Sequence, residues 1–163
     1  LILKQRAILS ELIPEAAKPT EKNATINNGL LEYYGAAKAD TVFIALGSLA
    51  GTVKDAVDEM NKKKVLGGVA VVKIKSFRPF PDEDLLKLVH QAKYIAVLEK
   101  AVSLGASDGP LALEVKAACK NKCKAKVQDF VVGLGGRDIT KAMIAKAAGL
   151  VKKSGDWSVF VGS

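Results

Sequence analysis

The sequence predicts an α/β fold, a three-layer α/β/α sandwich around a mostly parallel sheet of about five strands, and three observations carry that prediction. Apolar, β-branched runs of strand length recur along the chain, each followed by a stretch whose apolar residues keep helical spacing. Two junctions, Ala45-Leu46-Gly47-Ser48-Leu49-Ala50-Gly51-Thr52 and Val131-Val132-Gly133-Leu134-Gly135-Gly136-Arg137-Asp138, end a strand in glycines and turn straight into a helix. Such alternation builds parallel sheets, because parallel neighbours need a crossover connection and that crossover is almost always right-handed. Between the two junctions stands a proline-framed break, Phe77-Arg78-Pro79-Phe80-Pro81.

The elements follow in order. Residues 1–13 carry apolar side chains at Leu1, Ile2, Leu3, Ile8, Leu9, Leu12 and Ile13 with charges between, which suggests a helix. Pro14 to Asn28 brings two prolines and little apolar content and reads as a connecting segment. The division expected is therefore a connector helix and linker over 1–28, leaving a preceding domain, and an α/β domain over 29–163. Gly29 to Gly35 is a short apolar lead-in. Thr41 to Leu46 is the first strand, and the helix opened by Gly47 to Gly51 carries Ala50, Val53, Ala56, Val57 and Met60 on one stripe. Gly67-Gly68 resets the chain before a second strand over Val69 to Lys75. Asp82-Glu83-Asp84 then puts three carboxylates in a first helical turn, where the helix dipole favours them, with Leu85, Leu86, Leu88 and Val89 as the apolar face.

Tyr94 to Glu99 is the third strand, and Ser103 to Gly109 the loop after it. Pro110 suits the first position of a helix running to about Lys120. Gln128 to Val132 is the fourth strand; after its glycine turn Thr140 caps a helix with a stripe of Met143, Ile144, Ala147, Leu150 and Val151. Trp157 to Val161 completes the set as an edge strand.

Composition narrows the function classes. The chain has 163 residues, 49% of them hydrophobic, enough for one core and one domain. No apolar stretch approaches the roughly 18 residues of a membrane helix, so a soluble protein without a membrane partner is expected. The chain opens on Leu1 without a leader pattern and reads as a piece of a larger polypeptide. The net charge of +8 comes from lysine, concentrated at Lys62-Lys63-Lys64, from Lys116 to Lys126, and at Lys152-Lys153; arginine occurs only as Arg6, Arg78 and Arg137. Nucleic-acid surfaces add arginine forks and stacking rings to their lysines, and these runs contain neither. An acidic protein partner fits better.

The candidate chemistry is sparse. Cys119 and Cys123 supply only two of the four ligands of a zinc or iron–sulfur site, and their spacing within a helix is poor for a disulfide; they read as free thiols in a reduced compartment. Backbone N–H groups at Gly47, Ser48, Gly51, Gly135 and Gly136 are candidates for binding phosphate or carboxylate. The first turn lacks the G-x-G-x-x-G order, however, and neither has the lysine and hydroxyl of a P-loop. Arg78 and Arg137 fall near the carboxyl ends of strands, where open α/β sheets bind ligands, and are read as contacts to a neighbouring domain. His90 falls in a helix without a serine or cysteine placed to suggest a triad. Glu99 and Asp108 are acids of the kind that ligate magnesium or act as bases, and are read here as solvated loop residues. No catalytic residue and no metal site is assigned.

Four segments taken together carry a family resemblance: Ala45-Leu46-Gly47-Ser48 with Gly51-Thr52; Lys73 through Pro81; Ile95-Ala96-Val97-Leu98-Glu99-Lys100; and Gly133 through Thr140. In this order they closely resemble the transketolase-C-like second domain of pyruvate:ferredoxin oxidoreductases, or the end of the α subunit in split forms. The resemblance implies a transketolase-C-terminal-like sheet in a cytoplasmic complex that oxidatively decarboxylates a 2-oxoacid to acyl-CoA and passes electrons to ferredoxin. It also implies that thiamine diphosphate, magnesium and the iron–sulfur clusters belong to other parts of the complex, the pyrimidine-binding, diphosphate-binding and cluster-bearing parts, and not to this chain. The role expected is a non-catalytic scaffold and interface. The alternatives are a small module binding an anion, coenzyme A or a nucleotide on the glycine turns, and a lysine face that docks acidic ferredoxin.

Overall fold

The computed structural model describes residues 29–64, 67–153 and 158–162, the backbone of 24–27, and positions Ile8 and Glu11. The helix expected over 1–13 otherwise lies outside the described residues, as does Trp157 of the expected last strand.

Seven strands are described: β1 (Ala24–Asn27), β2 (Leu31–Gly35), β3 (Thr41–Leu46), β4 (Val69–Ile74), β5 (Tyr94–Glu99), β6 (Lys126–Val132) and β7 (Val159–Val161). They form one sheet in the order β1-β2-β4-β3-β5-β6-β7. The five strands from β4 to β7 in that order are parallel, while β1 and β2 are antiparallel additions beside β4. Four helices are described: α1 (Leu49–Lys63), α2 (Asp82–Val89), α3 (Pro110–Cys119) and α4 (Lys141–Leu150).

Strands in the middle of such a sheet are apolar on both faces, and so read as continuous apolar runs. Phe43, Ala45, Ala96, Leu98, Phe130 and Val132 face one core beneath α1 and α4. Val42, Ile44, Ile95 and Val97 face a second core beneath α2 and α3. Both faces are therefore covered, the three-layer arrangement the alternation of elements requires.

Local chemistry sets the helix limits. The α1 stripe is buried as expected, and the helix stops at Lys64, which turns left-handed (φ 51°) and donates its N–H to the Asn61 carbonyl. The Asn61 side chain then bonds both the N–H and the carbonyl of Val69, each at 2.9 Å, and fixes the helix end to the start of β4. Pro110 begins α3, where its missing N–H costs nothing. Thr140 caps α4 by accepting from the Met143 N–H at 3.3 Å.

The apolar lead-in at 29–35 is a strand, and 24–27, within the expected linker, pair with it. Alternation is hidden in β2 because Leu31, Glu32, Tyr33 and Tyr34 are all buried. Glu32 tolerates this position because Lys54 of α1, also buried, reaches its carboxylate at 3.0 Å and lies 5.2 Å from the Tyr34 ring centroid. Removing one member of such a pair leaves an uncompensated charge in the interior. Glu32→Ala is expected to destabilise the protein by about 3 kcal/mol in denaturant unfolding; a loss below about 1 kcal/mol, the scale of surface pairs, would mean the pair is effectively solvated.

Candidate functional site

From β3 the chain crosses to β4 on one side and returns to β5 on the other, so the topological switch lies between β3 and β5. In open α/β sheets ligands bind outside the carboxyl ends of the strands at such a point. All seven candidate residues lie along this carboxyl edge: Gly47, Ser48 and Gly51 after β3, Arg78 after β4, and Gly135, Gly136 and Arg137 after β6.

The edge does not draw them into one cradle. Ser48 is the N-cap of α1 but makes no capping hydrogen bond through its side chain, and Gly47 before it is left-handed (φ 63°) with open space around it. Arg78 turns aside. Its Nη2 donates to Glu114 Oε1 of α3 at 2.8 Å, its Nη1 donates to the Phe77 carbonyl, and its guanidinium lies 4.4 Å from the Phe77 ring centroid. Phe77 and Phe80 meet edge to face and pack on the α2/α3 core, so the break after β4 is a clamp between that connection and α3.

The second glycine turn does form a concavity. Gly133 is left-handed (φ 62°), and a Cβ there would lie 2.6 Å from Ile139 Cδ1, so only glycine fits. Beyond it a cavity of about 570 Å³ is lined by Leu134, Gly135, Arg137, Asp138, Met143 and Phe160, among others. Gly136 (φ 80°) belongs to the same turn. Arg137 is exposed and makes no hydrogen bond or ion pair among the described residues, not even with adjacent Asp138. Leu134 and Phe160, on the same cavity, are 42% and 63% exposed.

The buried chemistry lies at the start of α3. Glu99, the last residue of β5, accepts the N–H groups of Leu111 and Ala112 on its two carboxylate oxygens, each at 3.0 Å. Asp129 of β6 stands beside it, fully buried, with Oδ2 accepting from Gly109 N–H at 2.9 Å and Ser158 Oγ–H at 2.5 Å. Its other oxygen, Oδ1, is buried without a donor among the described residues. Burial, with a smaller push from neighbouring Asp129, raises Glu99 to about 7 against the downward pull of the two helix N–H groups. A second carboxyl nearby disfavours the charged form of Glu99, in the same direction as burial. Next to them Asp108, also buried, holds Lys116 at 2.6 Å.

Glu99 and Asp108 are thus not the solvated loop acids expected from sequence; both are 5% exposed. Asp129 carries no motif that marks it in the sequence; the signal for it is an acid between Gln128 and Phe130 in a strand buried on both faces. Gly109 is a second signal, since a Cβ there would lie 2.3 Å from Glu99 Cδ. His90 is exposed at the end of α2, its Nδ1 on the Lys87 carbonyl. Cys119 and Cys123 are free, and burial, with Cys123 nearby, pushes the Cys119 thiol up to about 12. The chain does not fit an iron–sulfur cluster, having only these two cysteines, and no group of three or more His, Cys, Asp or Glu among the described residues is arranged for a metal.

A doubly covered parallel sheet with antiparallel strands at one end, glycine turns along its carboxyl edge and its acids folded inward defines a three-layer α/β/α domain with a transketolase-like fold. A split-gene transketolase in an inactive β4 tetramer matches its fold with a TM-score of 0.56 at 16% identity, over 85% of this chain and 45% of that one. The 2-oxoglutarate:ferredoxin oxidoreductase of Magnetococcus marinus matches with a TM-score of 0.56 at 20% identity, over 73% of this chain and 19% of that one.

Residues 39–144 match the family described as pyruvate:ferredoxin oxidoreductase core domain II, and the chain belongs to that family. It is 44% identical over 129 residues to pyruvate synthase subunit PorA of Methanocaldococcus jannaschii, covering 79% of this chain and 32% of that protein. It is also 44% identical over 116 residues to ketoisovalerate oxidoreductase subunit VorA of Pyrococcus horikoshii, covering 71% of this chain and 29% of that protein. The chain spans about a third of the length of these relatives.

Buried Glu99 sets a pH dependence. Because its folded-state value lies above its ordinary 4.5, its contribution to stability is complete below about pH 4.5 and is lost as pH rises to about 7. In Glu99→Gln the titrating group is gone. The variant is expected to melt at nearly the same temperature from about pH 5 to 8, a range over which the parent loses stability, measured by circular dichroism. A parent-like slope in the variant would assign the pH dependence to another group.

Proposed function

We propose that this chain is a non-catalytic structural and interface domain of a 2-oxoacid:ferredoxin oxidoreductase, the complex oxidatively decarboxylating a 2-oxoacid to acyl-CoA with transfer of electrons to ferredoxin. The domain spans 29–163 together with the sheet strand at 24–27, and the residues before that strand connect it to a preceding domain. Thiamine diphosphate, magnesium and iron–sulfur clusters are held by other parts of the complex, which works in the cytoplasm without a nucleic-acid or membrane partner. The domain's contribution is positional: a displacement of about 1 Å between reacting groups can cost on the order of 100-fold in rate.

The observation that carries this reading is the cavity between the β6 turn and β7. There an unpartnered guanidinium, Arg137, stands beside exposed Leu134 and Phe160, and Leu104 on the neighbouring loop is fully exposed. Apolar surface with arginine and an aromatic ring is the composition of a protein interface core. Arg78 lies on the same edge, already braced by Glu114. The same free guanidinium beside Gly135 favours a second reading, a pocket for a carboxylate, phosphate or coenzyme A; Asp138 in the same wall opposes an anion there.

Two measurements separate these readings. Arg137→Glu with Phe160→Glu is expected to weaken co-purification with the remaining subunits by about tenfold or more, and 2-oxoacid-dependent ferredoxin reduction with it. Parent-like assembly would overturn the interface. Calorimetry of the full chain with coenzyme A that showed saturable binding, lost in Arg137→Ala, would establish the pocket instead.

A further inference from the structure

We infer that the opposite edge of the sheet, at the amino ends of the parallel strands, is a docking surface for an acidic protein. Every crossover starts where a parallel strand stops, so α1, α3 and α4 all begin at the carboxyl edge and end at the amino edge. The three lysine runs, far apart in sequence, meet there: Lys62-Lys63-Lys64 at the end of α1, Lys120 to Lys126 between α3 and β6, and Lys152-Lys153 after α4.

The lysines of these runs are exposed, and none makes an ion pair among the described residues. Of the acids near this edge, Asp40 is taken by Lys93 at 2.9 Å, and Glu59, which feels the charges of Lys62 and Lys63, is bound by Lys141. In the middle run the alternation is explicit. Cys123, Ala125 and Val127 pack on the α2/α3 core, which turns Lys122, Lys124 and Lys126 outward.

Helix dipoles account for only part of this concentration. They favour Lys62 and Lys63 in the last turn of α1, but their attraction fades within that turn, the last turn of α4 holds no basic residue, and that of α3 holds only Lys116, already bound to Asp108. Unpaired like charges gathered on one edge repel one another, and a carboxylate-rich partner relieves that repulsion. The surface suits a protein better than a nucleic acid. It has no arginine among its described residues, and its ring, Tyr94, is partly buried with Lys152 5.9 Å from its centroid. Lysine, a hydrated charge on a flexible stem, favours fast steered encounter over fixed bidentate contact. The two edges are opposite, so docking here leaves the carboxyl edge free for assembly.

The test is binding of the full chain to an acidic ferredoxin as probe, followed by fluorescence anisotropy, with duplex DNA alongside. Saturable binding is expected at about 50 mM salt, weakening about tenfold by about 200 mM. Lys124→Glu is expected to weaken it about fivefold or more, and Lys100→Glu, the same charge change at the carboxyl edge, less than about twofold. Circular dichroism matching the parent shows that both variants fold. Equal losses in the two variants, no saturable binding at low salt, or tighter binding of DNA than of ferredoxin would each overturn the inference, and none of them would bear on assembly through the carboxyl edge.

Discussion

One carboxyl group organises the centre of this domain. Glu99 closes β5 and receives the first free N–H groups of α3, which no intrahelical carbonyl can satisfy. Asp129 joins it from β6 and takes the N–H of Gly109 on one side and the hydroxyl of Ser158, at the entrance to β7, on the other. Two adjacent buried acids tie two central strands, a helix and the entrance to an edge strand together. Gly109 has no side chain because the Glu99 carboxyl occupies the space. A pair of acids in such a place invites a catalytic interpretation, but their hydrogen bonds go to the N–H groups of Gly109, Leu111 and Ala112 and to the Ser158 hydroxyl, all structural donors.

With its acids turned inward, the domain presents two contrasting edges. The carboxyl edge carries glycine turns, two arginines and exposed apolar side chains; the amino edge carries lysine runs. Both follow from one topological rule, that each crossover helix returns the chain from one edge to the other. Turn chemistry therefore gathers where strands end, and whatever follows the helices gathers where strands begin. In the role proposed for it, the domain faces its own assembly with one edge and an acidic partner with the other.

Where both faces of a strand are apolar, local sequence is sufficient. Thr41–Leu46 and Tyr94–Glu99 were readable to the residue, as was the Thr140 cap, because burial on two faces leaves an unbroken apolar run and a cap leaves a hydroxyl before a helical stripe. β2 was not readable as a strand, because its burial depends on an ion pair with a residue 22 positions away. Glu99 and Asp108 failed for the same reason, since an acid's environment is set by the helix packed over it.

The sequence by itself determined the fold class, the order of elements and the family, all of which rest on apolar period and on turn residues that act locally. Only the tertiary structure decided that the two glycine turns are separate corners rather than one phosphate cradle, that Arg78 is spent on Glu114 while Arg137 stays free, and that three distant lysine runs share an edge. The reason is that apolar patterning says which face of an element is buried, whereas the partner of a charge is chosen by where the crossovers carry it.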